Sequence, residues 1–109
     1  MGFKFKKEKV YILKKNKKGT GFVKQLAEAR TFEYKRHKFN LQGNSRDGYA
    51  VSDNATGMLI GAYFDKLKEL ENYLYILDNF IDIVNTDGKN TLYKDALKDF
   101  EKAKIVEEY

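Results

Sequence analysis

The triplet Ser52-Asp53-Asn54 is the first group of residues whose types and order could do chemistry. In serine-acylating enzymes a Ser-Asp-Asn triplet acts together with a nucleophile in Ser-x-x-Lys and with a Lys-Thr-Gly strand. Neither partner motif occurs in this chain. Asn54 and Gly57 are instead the first and fourth residues of Asn-Ala-Thr-Gly, which favours a type I turn that closes a β-hairpin. We therefore expect the triplet to end a strand and to have no catalytic role.

A second candidate chemistry lies in the stretch FEYKRHKF, residues 32–39. Glu33 and Lys35 have the spacing of the Glu-x-Lys of metal-dependent nucleases, in which carboxylates hold Mg²⁺ and a lysine steadies the attacking water. Such a site needs another carboxylate, commonly an upstream aspartate, and the first aspartate here is Asp47. His37, the single histidine, could act as a general base, but the sequence supplies no partner constellation for it. We expect no enzymatic activity, no metal site and no cofactor.

The elements that must position these residues begin with three turn sequences, NKKG at 16–19, SRDG at 45–48 and NATG at 54–57. Each is flanked by residues that favour strands, so the first 63 residues predict an antiparallel meander of four or five strands. Residues 23–30 leave two interpretations open, because their composition fits either a strand continuation or a single helical turn.

Residues 31–42 alternate in a way that predicts one strand, on which even and odd positions face opposite sides. Aromatic rings beside cations are typical of platforms for single-stranded nucleic acid, and they are equally typical of a small aromatic core covered by lysine stems. The even side carries Phe32, Tyr34, Arg36 and Lys38, and the odd side carries Glu33, Lys35, His37 and Phe39.

After Tyr63 the apolar spacing changes to three and four residues, which predicts an α-helix with Asp65 as its N-cap. The sequence NTDGKN at 85–90 ends this helix, and a second helix begins at about Thr91. The order predicts an α+β fold, an antiparallel four- or five-stranded β-meander followed by two packed α-helices in a two-layer sandwich, as a single domain over residues 1–109. The apolar stripe of the first helix is Leu67, Leu70, Leu74, Leu77, Ile81 and Val84.

Charge is divided along the chain although the fold is not. Residues 1–50 hold 14 Lys or Arg against 4 Asp or Glu, whereas residues 51–109 hold 7 against 12. The β-sheet portion, residues 1–63, is therefore basic and the helical portion, residues 64–109, is acidic. This division could reflect compensation between the two layers, or a sheet face that meets a polyanion. The residues expected to bind nucleic acid or a partner are Lys14, Lys15, Lys17, Lys18, Lys35, Arg36 and Lys38.

The composition also bounds where the protein works. There is no cysteine, and no apolar run approaches the roughly 20 residues that cross a bilayer. We expect a cytoplasmic protein without a membrane partner.

Residues 49–74, YAVSDNATGMLIGAYFDKLKELENYL, resemble the strand, Thr-Gly turn, strand and helix unit of short accessory proteins of phages and conjugative elements. The resemblance implies a protein without enzymatic activity, and some such proteins of similar size are inhibitors of host defence, including anti-CRISPR proteins. Many of those inhibitors are acidic mimics of DNA. This chain is basic, so simple mimicry is not expected.

Three functions follow as hypotheses. The first is a non-catalytic binding protein of a phage or mobile element, which acts at nucleic acid or on a host complex that handles nucleic acid, through a basic sheet face. The second is an anti-defence, anti-CRISPR-like inhibitor that binds a host nuclease protein directly. The third is a structural module that forms a homodimer through its C-terminal helices.

Overall fold

The computed structural model of the protein describes residues 3–15, 17–19, 21–86 and 90–106, without the side chain of Asn90. Its first part is a five-stranded antiparallel meander in which each strand pairs with the next. The predicted α+β architecture of a meander followed by two helices is confirmed. The strands are β1 (Lys6–Lys15), β2 (Phe22–Tyr34), β3 (His37–Asn44), β4 (Gly48–Asp53) and β5 (Leu59–Phe64).

The long hairpin of β1 and β2 dominates one side of the sheet. Lys15 pairs with Phe22 beside the first turn, and Lys6 pairs with Thr31 at the other end of the hairpin. Residues 23–30, for which the sequence allowed two interpretations, are therefore strand. A short sixth strand, β6 (Lys104–Val106), adds in parallel to the beginning of β2, and the sequence analysis missed it because three residues carry no periodic signal.

The connection between β2 and β3 is a two-residue turn at Lys35 and Arg36, so the prediction of one unbroken strand over 31–42 is wrong. Their φ angles of 50° and 68° lie in the left-handed region, as a type I′ hairpin turn requires. Sequence reasoning missed this turn because such turns normally contain Asn or Gly. The predicted faces change as well: Phe32 pairs with Phe39 across the hairpin, and the two rings share one side of the sheet.

The left-handed backbone at Arg36 makes a test of strain possible. A residue with a Cβ atom in this region costs about 1–2 kcal/mol, a penalty that glycine avoids. We expect Arg36→Gly to raise the free energy of unfolding by about 1 kcal/mol, measured by urea denaturation. Arg46 lies in the β3–β4 turn, also exposed, and its φ is not positive. Arg46→Gly should therefore lower stability, and a gain at both positions would contradict the strain interpretation.

The helical part begins with a 3₁₀ helix at Leu67–Tyr73, which continues into α1 (Leu74–Asn85). The predicted N-cap at Asp65 is wrong, because Lys66 holds the N-cap position and makes no side-chain capping hydrogen bond. The second helix, α2, spans Asn90–Lys102. Residues 87–89 of the predicted stop sequence lie outside the described residues.

The core lies between the helices and one face of the sheet. Of the predicted apolar stripe, Leu70 and Leu77 are fully buried, and the stripe contacts the sheet most closely there. The aromatic share of the core explains how a small domain with so many charges buries enough apolar surface. The buried cluster consists of Phe32, Phe39, Leu41, Val51, Ala62, Phe64, Leu70 and Leu77.

Candidate nucleic-acid interface

A cavity of about 620 Å³ lies at the end of the sheet where the segment before β1 approaches the β2–β3 turn. We call it the lysine–aromatic cavity, because four lysines and four aromatic residues account for most of its lining. Glu8, Glu33 and Thr31 complete the lining. The lysines are Lys4, Lys6, Lys35 and Lys38, and the aromatic residues are Phe3, Phe5, Phe32 and Tyr34.

The aromatic residues of the cavity form one connected group. The Phe3 ring centroid lies 5.2 Å from that of Phe32 and 6.1 Å from that of Tyr34, both in edge-to-face geometry. Phe5 approaches Phe32 at 5.5 Å. Phe32 is buried in the core, whereas the other three rings are half-buried. The segment before β1 is thereby attached to the sheet and carries part of its apolar surface toward the cavity.

Lys38 is the first of two cavity lysines held in an ion pair. Its Nζ atom lies 3.1 Å from Oε2 of Glu8, across the sheet from β3 to β1. The Thr31 hydroxyl donates a hydrogen bond to the same carboxylate oxygen. The hydrogen bonds from Thr31 and Lys38 lower the pKa of Glu8 below its usual value. Lys38 therefore has a carboxylate partner before any ligand arrives.

Lys35 is held in a second ion pair, which connects the β2–β3 turn to α1. Its Nζ atom lies 2.6 Å from Oδ1 of Asp78 and 5.4 Å from the centroid of the Tyr34 ring. The hydrogen bond to Lys35 lowers the pKa of Asp78, and Asp78 in turn raises the pKa of Lys35. Burial, and then the Asp78 carboxylate, raise the pKa of the Tyr34 hydroxyl. The pair joins the basic sheet to the acidic helices, so compensation between layers accounts for part of the divided charge.

Lys24 makes another connection between the layers. Its Nζ atom donates to the carbonyl oxygens of Phe100 at 3.0 Å and Glu101 at 3.2 Å. These carbonyls lie in the last turn of α2, where a cation is favourable to the helix dipole. Lys24 therefore stabilises the docking of α2 against β2, and sequence reasoning had no signal for this role.

Lys4 and Lys6 are the cavity cations that sequence reasoning missed. Both are exposed, and neither forms an ion pair with another described residue. The alternation of aromatic residues and lysines in FKFK, residues 3–6, is the signal that could have found them. These two residues therefore supply most of the positive charge that the cavity can offer to an anion.

The seven residues predicted to bind nucleic acid or a partner fall into two groups. Lys35, Arg36 and Lys38 lie at the β2–β3 turn, beside or within the lysine–aromatic cavity. The other four lie at the far end of the β1–β2 hairpin, roughly 30 Å away along ten strand residues. The seven residues thus lie at opposite ends of the β1–β2 hairpin. That second group, which we call the hairpin-tip lysines, consists of Lys14, Lys15, Lys17 and Lys18.

The Ser52-Asp53-Asn54 triplet ends β4, as expected. The turn begins at Asp53 and not at Asn54 as predicted, because the backbone oxygen of Asp53 accepts a hydrogen bond from the N–H of Gly57 at 2.8 Å. Asn54 follows the end of β4, and its Oδ1 atom accepts a hydrogen bond from Asn40 at 3.2 Å. The buried hydroxyl of Ser52 accepts from Gln42 at 3.2 Å. Ser52 and Asn54 thus belong to one hydrogen-bond chain that runs through Gln42 and Asn40. Asp53 has other partners, so the triplet fills structural roles.

His37 has a partner that the sequence analysis failed to identify. Its Nε2 atom lies 2.6 Å from Oδ1 of Asp53, whose side chain is fully buried. The Thr56 hydroxyl donates to the other carboxylate oxygen at 2.6 Å. Burial, and then the charge of Asp53, raise the pKa of Tyr93 on α2. We call these four residues the Asp53 cluster. It connects β3, the β4–β5 turn and α2, and neither His37 nor Asp53 lines the lysine–aromatic cavity.

Glu33, the carboxylate of the Glu-x-Lys pair, lies directly opposite Lys38 in the β2–β3 ladder.

Within the described ranges, no group of three or more His, Asp or Glu side chains is placed to hold a metal ion. None of the helices described is both long and apolar enough to cross a membrane.

The fold and the cavity together define a class: an α+β protein whose antiparallel sheet carries a basic, aromatic-lined cavity at one end. Comparisons with models of protein families, with curated proteins and with solved structures found no match. The resemblance of residues 49–74 to accessory proteins of phages and conjugative elements therefore stays a prediction.

Proposed function

We propose that this protein binds single-stranded nucleic acid, without catalysis, through the lysine–aromatic cavity. The observation that carries the proposal is the meeting of four lysines with the half-buried rings of Phe3, Phe5 and Tyr34 around one cavity of about 620 Å³. Proteins that bind single strands use lysines to follow the phosphates and aromatic rings on which bases stack. A duplex keeps its bases paired and stacked, so it would leave the rings without partners.

The ion pairs of the cavity determine which lysines contribute most to the binding of phosphates. Lys35 and Lys38 must exchange carboxylate partners for phosphates, and the gain from that exchange is small. Lys4 and Lys6 form no ion pair with another described residue, although the charge of Lys6 contributes to the lowered pKa of Glu8. They should therefore release most of the counterions when a strand binds, and they should determine how steeply affinity depends on salt.

Replacing both lysines tests this proposal directly. We expect Lys4→Gln/Lys6→Gln to weaken binding of a single-stranded oligonucleotide and to reduce the slope of log affinity against log salt by about 1.4, or about 0.7 for each lost contact. Fluorescence anisotropy over a range of salt concentrations measures both quantities. The matched control is Lys94→Gln/Lys98→Gln, which removes two exposed lysines from α2 in the acidic half. Equal effects of the two double variants would show that net charge alone controls binding.

The resemblance of residues 49–74 motivates the further proposal that this activity serves a phage or mobile element. The inhibitor alternative has a different signature: stable co-purification with a host nuclease complex that survives nuclease treatment, and little affinity for the free oligonucleotide. Carboxylates exposed on the helices, such as Asp82, Asp95 and Asp99, favour this alternative, because a basic protein surface could bind there. The homodimer alternative predicts a sedimentation coefficient that rises with protein concentration.

A further inference from the structure

The distribution of lysines extends well beyond the cavity. Residues 4–18 contain eight lysines against the single carboxylate of Glu8, a net charge of +7 in fifteen residues. This segment runs from the lysine–aromatic cavity, along the whole of β1, to the hairpin-tip lysines. We infer that a bound single strand continues out of the cavity along β1 to the hairpin tip, an inference that rests on the proposed function.

The position of β1 in the sheet supports this path. β1 is the first strand in the sheet order and, among the described residues, pairs only with β2. Its outer side therefore carries backbone N–H groups without a strand partner, and such groups can donate hydrogen bonds to phosphate oxygens. Lysines occupy both faces of β1 near its two ends, and their long side chains can reach around the same edge. The edge thus offers cations toward both of its ends, and the apolar run Val10–Leu13 between them contributes only backbone donors.

Lysine on an edge strand also has a second use, since it discourages pairing with the edge of another sheet. That use requires charge only where the backbone edge is open. Lys4 precedes β1, and Lys17 and Lys18 lie in the turn beyond its last residue. Protection of the edge therefore does not explain the two ends of the row, whereas contact with a polyanion along the full length explains them.

The length of the path sets the length of strand that can use it. Ten strand residues span roughly 30 Å, which corresponds to about nine nucleotides at about 3.4 Å for each stacked nucleotide. A strand of about four nucleotides can occupy the cavity but cannot also reach the hairpin tip. The contributions of the cavity and of the hairpin-tip lysines to affinity can therefore be distinguished by comparing oligonucleotides of different lengths.

The experiment compares two double variants on oligothymidylates of about 4, 8, 12 and 16 nucleotides. We expect the affinity of the unmodified protein to rise up to about 8–12 nucleotides and then to level off. Lys17→Gln/Lys18→Gln should leave binding of the shortest strand unchanged and weaken binding of the longest by about three- to tenfold. Lys4→Gln/Lys6→Gln should weaken binding of both.

The outcomes separate this inference from the proposed function. If no oligonucleotide binds, both are overturned. If short and long strands bind equally well, and only the Lys4→Gln/Lys6→Gln variant is impaired, the cavity is the whole site and the path along β1 is overturned. Sedimentation of each variant is measured first. Self-association of the hairpin-tip variant with unchanged binding of the longest strand also overturns the path, in favour of edge protection.

Discussion

Gly57→Val is expected to lower the free energy of unfolding by about 3–5 kcal/mol. Gly57 has a φ of +72°, a region that a β-branched residue rarely adopts. A Cβ atom at this position would also lie 2.8 Å from Cβ of Leu13 and 2.9 Å from Cε1 of Phe100. Leu13 belongs to β1 and Phe100 to α2, so an added side chain would force the hairpin and the helix away from the β4–β5 turn.

Gly19 provides a matched control for this prediction. Its φ is also +72°, but among the described residues other than its chain neighbours no atom lies within 4 Å of a Cβ built on it. Gly19→Val should therefore cost only the backbone strain, about 1–3 kcal/mol. Urea denaturation of both variants measures the difference, which isolates the effect of the close approach. If the two substitutions cost the same, the contact with Leu13 and Phe100 has no energetic consequence.

Asp53→Ala is the second substitution with a large expected effect, a loss of about 3–5 kcal/mol in the free energy of unfolding. The Asp53 carboxylate is fully buried and has His37 and Thr56 as partners, each at 2.6 Å. Removing it leaves the Thr56 hydroxyl and the imidazole without an acceptor, and it removes the attachment of Tyr93 on α2. A buried polar group without a partner costs far more than the hydrogen bond contributed.

A double-mutant cycle with His37→Ala shows whether the two residues act as a unit. We expect the sum of the two single losses in the free energy of unfolding to exceed the loss of the double variant by about 1–3 kcal/mol. Either single change leaves the other partner buried alone. Ser52→Ala is the neighbouring control. It removes one hydrogen bond from Gln42 and should cost about 1 kcal/mol. Additive losses, or an Asp53→Ala loss no greater than that of Ser52→Ala, would contradict a structural role for the Asp53 cluster.

The parts of the fold that sequence reasoning predicted correctly depend on local chemistry. The turn sequences SRDG and NATG end strands where glycine adopts a left-handed backbone at Gly48 and Gly57. The three- and four-residue spacing after Tyr63 belongs to helical structure, with Leu70 and Leu77 in the core. In each case the signal and the structure it produces lie within a few residues of each other.

The β2–β3 turn shows where local reasoning ends. Lys35 and Arg36 have no intrinsic preference for a left-handed backbone, so nothing in their identity marks a turn. Their conformation is imposed by what flanks them, because Phe32 and Phe39 both enter the core and must face the same way. Side chains on a strand alternate with a period of two, so missing this turn also placed the residues after it on the wrong face of the sheet.

The candidate site divides in the same way. Lysine content and the aromatic residues beside it were visible in the sequence, and Lys35 and Lys38 do line the cavity. Their ion pairs with Asp78 and Glu8 were not visible, because those partners are 43 and 30 residues away along the chain. Sequence reasoning therefore could not tell paired lysines from available ones. It also overlooked Lys4 and Lys6, although the FKFK alternation was visible.

By itself, the sequence determined the class of fold, the order of strands before helices, and the division of charge between them. These properties are sums over many residues or depend on neighbours along the chain. Only the tertiary structure decided which charges remain available, and that His37 lies against Asp53 of the opening triplet. Pairing between distant residues depends on how the strands register and how the helices dock, and that information is distributed over the whole core.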